Sequence, residues 1–238
     1  MRVARRERAP LARHSGCDDD VAMFIGHFAV GFASKRLAPR TSLGALMAAP
    51  LLLDLVWPIF LAFGIEHARI APGITAVTPL DLYDYPYTHS LVGALGWSVA
   101  AAALYLCLRP DRRVALVLAA GVFSHWVLDF VTHRPDMAIY PGGSARVGLG
   151  LWYSIPATVA IEGAMFIAGV ALYAKTTRAR DTRGRVSFWA YVGLLAVLYV
   201  ATFVTPPPAT MGPVIVGGLL SWLFVAWAWS FDRHREVA

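Results

Sequence analysis

The sequence predicts an all-α membrane protein: a polytopic transmembrane helical bundle of six full spans, preceded by one short amino-terminal membrane helix. Three observations predict it. Apolar residues make up 58% of the 238 residues and charged residues only 15%, against roughly half and a quarter in water-soluble domains. Six apolar stretches come close to or exceed the roughly 20 residues that a helix needs to cross a bilayer. The basic residues sort the connections between those stretches into two classes.

The elements follow in order. An apolar piece, Met23–Leu37, ends in Lys35-Arg36 and is cut off from the next by Pro39-Arg40. It is long enough to cross only part of the bilayer, or barely all of it. The full spans are Ser42–Gly64, Thr88–Leu108, Val114–Val131, Leu151–Ala174, Phe188–Thr205 and Val214–Phe231. From Lys35 onward, Lys and Arg gather at 35–40, 109–113, 175–185 and 233–235. Only Arg69, Arg134 and Arg146 fall on the other side. The positive-inside rule makes the crowded side cytoplasmic, the carboxyl terminus with it. The loops Glu66–Tyr87, Thr132–Gly150 and Pro206–Met211 then face outward. The net charge of +6 reflects loops that hold orientation, and no nucleic-acid partner is expected. The oligomeric state stays open.

Residues 1–22 are Arg-rich, then acidic at Asp18-Asp19-Asp20. A signal peptide needs its apolar segment directly after the basic region. This stretch therefore reads as a disordered tail or a mis-assigned start, with Met23 the true first residue. The division that results is 23–174, a helical bundle holding the chemistry; 175–187, a basic cytoplasmic loop; and 188–238, a two-helix membrane support with a short tail. The last two spans carry no ionisable group inside and read as scaffold. Cys17 and Cys107 are too far apart in context to suggest a disulfide framework. No phosphate-binding Gly-x4-Gly-Lys loop and no dinucleotide fingerprint occurs, so coupling to ATP is not expected.

Ionisable groups at membrane depth are costly and point to a site. Here they are His27, Asp54, His89, His125, Asp129, His133 and Glu162. His125, Asp129 and His133 are spaced i, i+4, i+8, which puts them on one face of a helix. Imidazole and carboxylate one turn apart suit zinc, iron or manganese, zinc being the usual choice. The competing reading is a polar seam that joins helices by hydrogen bonds. Asp54 lies about 18 Å into its span at the helical rise, and His27 lies about as far back from the same turn. Glu162 is eleven residues into its span, and His89 opens the second span. Seven groups from five segments thus converge on the middle-to-outer part of the bilayer. Asp54 as a neutral buried acid, and Glu162 as a hydrogen bonder at a kink, are the alternatives for those two residues. Glu66, His67, Asp81 and Asp84 read as solvated loop charges.

Gly26-His27, Leu53-Asp54, Thr88-His89-Ser90 and Ser124-His125-x3-Asp129-x2-Thr132-His133 resemble the YdjM-like family of inner-membrane metal-dependent hydrolases. The resemblance covers Met23 to His133. It implies a bacterial inner (plasma) membrane location and a hydrolase activity. The order His27, Asp54, His89, His125-x3-Asp129, His133, Glu162 is also similar, more distantly, to the ligand order of zinc-dependent phospholipase C and related single-strand nucleases. That likeness implies a divalent transition metal, zinc for preference, as one to three ions held by those seven residues. It departs at Thr158, where those enzymes have a His four before the Glu, which favours fewer than three ions. Asp54 or Asp129 would then bridge ions or act as general base in a phosphoesterase-like reaction. The substrate would be a lipid or lipid-linked phosphoester or ester near the outer leaflet. Arg134 and Arg146 are candidates to bind its head group, or are plain loop charges. Two other functions compete. A transporter of metal ions or protons would need polar groups down to the cytoplasmic face, where the spans are Ala, Leu, Val and Gly. A scaffold with a structural metal would lose its fold, not an activity, on loss of His125.

Overall fold

The computed structural model describes residues 25–238, so the reading of residues 1–22 lies outside the described residues. The chain folds into a helical bundle. The helices are α1 (Ile25–Ser34), α2 (Leu43–Ala62), α3 (Pro86–His89), α4 (Leu91–Leu108), α5 (Arg112–Thr132), α6 (Ile155–Thr176), α7 (Thr182–Ala201) and α8 (Met211–Asp232). Six of them, α2 and α4 to α8, are long and apolar enough to cross a membrane, and α1 is a shorter apolar helix. The predicted fold class is the observed one. The connections add three short antiparallel pairs: β1 (His67–Ile70) with β2 (Leu80–Asp84), β3 (Met137–Ala138) with β4 (Arg146–Val147), and β5 (Thr177–Ala179) with β6 (Arg235–Val237).

Side-chain caps set where the helices begin. Ser42, Ser90, Asp111, Ser154 and Asp181 each accept the backbone N–H three residues on, satisfying one of the donors that a helix start leaves free. Several boundaries differ from the sequence expectation for this reason, among them the start of the fourth span, which lies at Ile155, not Leu151, because Ser154 caps it. The second span begins at Leu91, not Thr88, because Ser90 is extended (φ −75°, ψ 156°) and separates α3 from α4. The fifth begins at Thr182, because Asp181 caps it. The basic stretch 175–187 is therefore mostly helix end, strand and helix start.

At ten residues, α1 is about 15 Å long and is buried on almost every side. An apolar helix with no solvent face belongs inside a bundle. Two glycines let its neighbours come close. A Cβ at Gly169 of α6 would lie 2.4 Å from the Ala29 carbonyl oxygen, and one at Gly31 would lie 2.3 Å from Met47 Sδ of α2. Helix α1 is thus held between α2 and α6, with His27 in its first turn. Its own Phe28 and Phe32 join Tyr173, Phe188, Tyr191 and Phe231 in an aromatic core.

The basic end of the bundle holds a buried charge one residue past the last expected span: Asp232, at the end of α8. It pairs with Lys35 Nζ at 2.6 Å and accepts from Tyr173 Oη at 2.7 Å and Leu43 N at 2.9 Å. The pair ties the end of α8 to the turn after α1.

Candidate metal centre

The centre lies at the end of the bundle away from the basic loops. On α5, His125 and Asp129 are one turn apart, and both are buried. The helix ends at Thr132, and His133 follows it in extended conformation (φ −65°, ψ 147°). The third member of the i, i+4, i+8 set thus leaves the helix yet stays with it, because His133 N donates to Asp129 O at 2.7 Å. Asp129 is the hub. Its carboxylate oxygens lie 3.0 Å from His125 Nε2, 3.4 Å from His27 Nε2, 3.6 Å from His89 Nε2 and 3.8 Å from His133 Nε2. Asp54 of α2 joins from the other side, 3.4 Å from His89 Nε2 and 3.7 Å from His125 Nε2.

Hydrogen bonds behind the rings decide what those nitrogens offer. His125 Nδ1 is 2.7 Å from the Pro50 carbonyl, an acceptor only, so Nδ1 carries the proton. His89 Nδ1 lies 2.7 Å from Thr88 Oγ1, which is itself 2.6 Å from Glu66 Oε2. The Thr88 hydroxyl gives its one hydrogen to the carboxylate, so it accepts from His89 Nδ1–H. His133 Nδ1 faces Tyr85 Oη at 3.1 Å and Asp136 Oδ1 at 3.2 Å, while Tyr85 donates to Asp136 at 2.8 Å. Burial first, and then Asp136, push the Tyr85 phenol well above its ordinary pKa, so it remains a donor to that carboxylate. In the neutral rings, three Nε2 lone pairs therefore point inward. Outer-shell partners of this kind fix tautomer and ring orientation in metal-ligating histidines.

The arrangement fits a cation. His89 Nε2 and His125 Nε2 are 3.2 Å apart, with both protons committed elsewhere, and a carboxylate sits beside them. Acceptors facing acceptors repel unless a positive charge lies among them. His27 adds a second sign: it is buried, and neither of its ring nitrogens makes a hydrogen bond. A buried polar group left this way costs free energy, which ligation would remove. Two sets of three bring their donor atoms within 4.8 Å of one another: His27, His125 and Asp129; and Asp54, His89 and His125. Tetrahedral ligation with bonds of about 2.0–2.1 Å puts neighbouring donor atoms roughly 3.3–3.4 Å apart, and the separations here run from 3.0 to 3.7 Å around that distance. His125 belongs to both sets but has one free lone pair, so it can serve only one ion.

The remaining residues spread around this core. His133 touches the hub but is in neither set of three. Glu162 is wholly buried on α6 and is also in neither set. Thr158, one turn before it, donates to the Leu151 and Ser154 carbonyls at 3.1 and 3.0 Å. Arg134 is ion-paired with Asp81 and, at 3.1 Å, with Asp136. Arg146 is exposed and donates to the Gly143 carbonyl at 2.5 Å. His67 and Asp84 are exposed, as loop charges should be, but Glu66 and Asp81 are not. Glu66 is 1% exposed and accepts from Tyr87 N, Thr88 N and Thr88 Oγ1. Asp81 is 5% exposed between Arg69 and Arg134. The hairpin folds these carboxylates inward, where backbone N–H groups and guanidiniums replace water. Asp136 and Tyr85 were equally unforeseen; only the His133-x2-Asp136 spacing hints at the former.

A cavity of about 40 Å³ opens onto the centre, with Asp54, His89, Asp129 and His133 on its polar side. Trp57, Leu80, Leu82 and Trp152 line the other side. Its space suits about one water molecule. The Asp54 side chain is 42% exposed, while those of His27, His89, His125, Asp129 and His133 are 5% or less.

No curated protein and no solved structure matches the chain, so no match extends the likeness to phospholipase C or the nucleases. A family profile for YdjM inner membrane proteins matches residues 22–208. That match runs from the residue before Met23 through five of the six spans and contains every member of the centre. With most of its length and its whole His/Asp cluster inside the match, the chain belongs to the YdjM inner membrane protein family.

Proposed function

We propose that the protein is a membrane-embedded, metal-dependent hydrolase. It acts on a phosphoester or ester bond of a lipid or lipid-linked substrate near the outer leaflet, with the carboxyl terminus cytoplasmic. The observation that carries this reading is the Asp129 hub, to which four imidazole Nε2 atoms turn, three with their protons held on the far side of the ring. His27, His125 and Asp129 would hold one zinc ion, with His133 to complete its shell; Asp54 and His89 stand beside it and would take a second ion, so the first does not depend on Asp54. When bound, such an ion lowers the pKa of its water towards neutrality and offsets charge on the reacting oxygen. Asp54, half exposed at the cavity, takes the proton from the attacking water and returns it to the leaving oxygen. Asp129 stays ionised and orients its imidazoles. The apolar wall of Trp57, Leu80, Leu82 and Trp152 seats the substrate's hydrocarbon part once the β1–β2 hairpin yields. Arg146, exposed at the same end, is the better contact for an anionic head group, since Arg134 is already paired with two carboxylates.

Transport fits less well. Between the centre and the basic end, α1, α2 and α5 are packed by Phe32, Leu46, Met47, Leu118 and Val122, all buried and apolar. The test is metal analysis of the detergent-purified protein, followed by hydrolysis of a short-chain phospholipid and of a chromogenic phosphodiester. Stoichiometric zinc, with turnover lost in Asp54→Asn while zinc is retained, is the expected result. Protein free of transition metal, or full turnover after metal removal, would sink the reading.

A further inference from the structure

The opposite end of the bundle has a feature that the hydrolase reading does not use. Between α2, α4, α5 and α8 lies an open cleft of about 710 Å³, lined by Arg40, Arg109 and Arg113. All three are exposed. Among the described residues the ion pairs of Lys and Arg involve Lys35, Arg69, Arg134 and Arg178, and these three arginines make none. Asp111 also lines the cleft, but its carboxylate caps α5 by accepting Val114 N at 3.1 Å. Unpaired cations side by side repel and raise the affinity of the place for an anion.

The depth of the cleft says which anion. It sits where α2 begins at Leu43, α4 ends at Leu108 and α5 begins at Arg112. All three are membrane-length helices, so the arginines lie at the level of lipid head groups. Inward from them the wall turns apolar, with Tyr105, Val114 and Trp229. A soluble anion needs only the charges. A phosphodiester carrying acyl chains uses both parts, with the phosphate in the guanidinium forks and hydrocarbon along the wall. We infer that this cleft is a binding site for an anionic phospholipid, separate from the metal centre.

Native mass spectrometry of the full chain tests this, after release from nanodiscs of phosphatidylglycerol and phosphatidylcholine in equal amounts. Wild-type protein is expected to retain phosphatidylglycerol at least tenfold over phosphatidylcholine. Arg40→Gln/Arg109→Gln/Arg113→Gln should bring that ratio below twofold. A control that removes equal charge elsewhere, Arg36→Gln/Arg112→Gln/Arg180→Gln, should leave it near tenfold. No preference in the wild type, or equal loss in both triple variants, overturns the site; the second outcome means net charge alone. Displacement of the lipid by millimolar glycerol 3-phosphate also overturns it, since the apolar wall would then play no part. Should the first triple variant fail to fold, Arg109→Gln alone is expected to lower the ratio at least threefold, and an unchanged ratio refutes the proposal.

Discussion

Thr88→Val separates a ligand from the groups that aim it. The change keeps the shape of the side chain and removes its hydroxyl. That hydroxyl lies 2.6 Å from Glu66 Oε2 and 2.7 Å from His89 Nδ1. Glu66 Oε1 keeps its bonds from Tyr87 N and Thr88 N at 2.7 and 2.8 Å, but Oε2 loses its hydroxyl donor, and His89 Nδ1–H is left buried without an acceptor. Such a group costs about 1–3 kcal/mol. Loss of an outer-shell partner lowers metal affinity about 10–100-fold, or about 1.4–2.7 kcal/mol. The two routes give the same size of effect. The assay is competitive zinc titration of the metal-free protein against a chelator of known affinity. Thr88→Val should bind zinc ten- to a hundredfold more weakly, and Thr88→Ser should return to within about threefold of wild type, by the same outer-shell argument. His89→Ala should be weaker than either. Wild-type affinity in Thr88→Val, alongside a large loss in His89→Ala, would refute the reasoning that the hydroxyl aims the ring.

Three other perturbations test the structure around the centre. His27 is buried with no hydrogen bond to either nitrogen, so His27→Leu should stabilise the metal-free protein by about 1–3 kcal/mol while weakening zinc binding. Thermal melts with and without chelator read the two opposite signs. Gly169→Leu drives a side chain into the Ala29 backbone and should displace α1, costing at least about 1–3 kcal/mol and lowering zinc retention; an unchanged melt and full zinc would show that α1 moves freely. Lys35→Met leaves the Asp232 carboxylate without its cation among side chains 6% and 8% exposed, which should cost about 3–5 kcal/mol. Lys35→Met/Asp232→Asn should recover most of that loss, and no recovery would mean that Lys35 matters for packing alone.

The spans were legible because lipid imposes a length and an apolar composition that any reader can measure. The centre was legible in part for a related reason. Carboxylates and imidazoles at bilayer depth stand out, and helix rise with loop charge set His27 and Asp54 at one level. The groups behind the ligands did not stand out. Glu66 and Thr88 are 22 residues apart across a hairpin, and no periodicity links them. Glu66, Asp81 and Asp136 sit in segments of ordinary loop composition, where a carboxylate is normally solvated. Only the fold, which turns the hairpin over the bundle end, takes them out of water. The Lys35–Asp232 pair joins residues 197 positions apart, and Asp232 stands one residue beyond the apolar run that marked the last span. Ser90 was readable as a cap in principle. The apolar stretch that runs past it hid the break between α3 and α4.

The distribution of exposure within the cluster bears on what an ion there would do. A structural metal is closed off by its ligands, whereas a catalytic one keeps a position open. Three imidazoles are braced by partners from separate elements: Pro50 of α2, Thr88 of α3, and Tyr85 with Asp136 in the connections. Their orientation therefore does not depend on an ion. His27 has no such brace and would depend on one. A scaffold metal would need neither the three independent braces nor a half-exposed member, yet Asp54 is 42% exposed at a cavity of about 40 Å³. Preorganised donors on one side and a single open carboxylate on the other fit an ion that must accept a water and a reacting oxygen in turn. Asp54→Asn and Asp129→Asn should then part company: the first loses turnover and keeps zinc, and the second loses zinc, because Asp129 alone touches all four imidazoles. Equal zinc loss in both would favour a closed, structural ion.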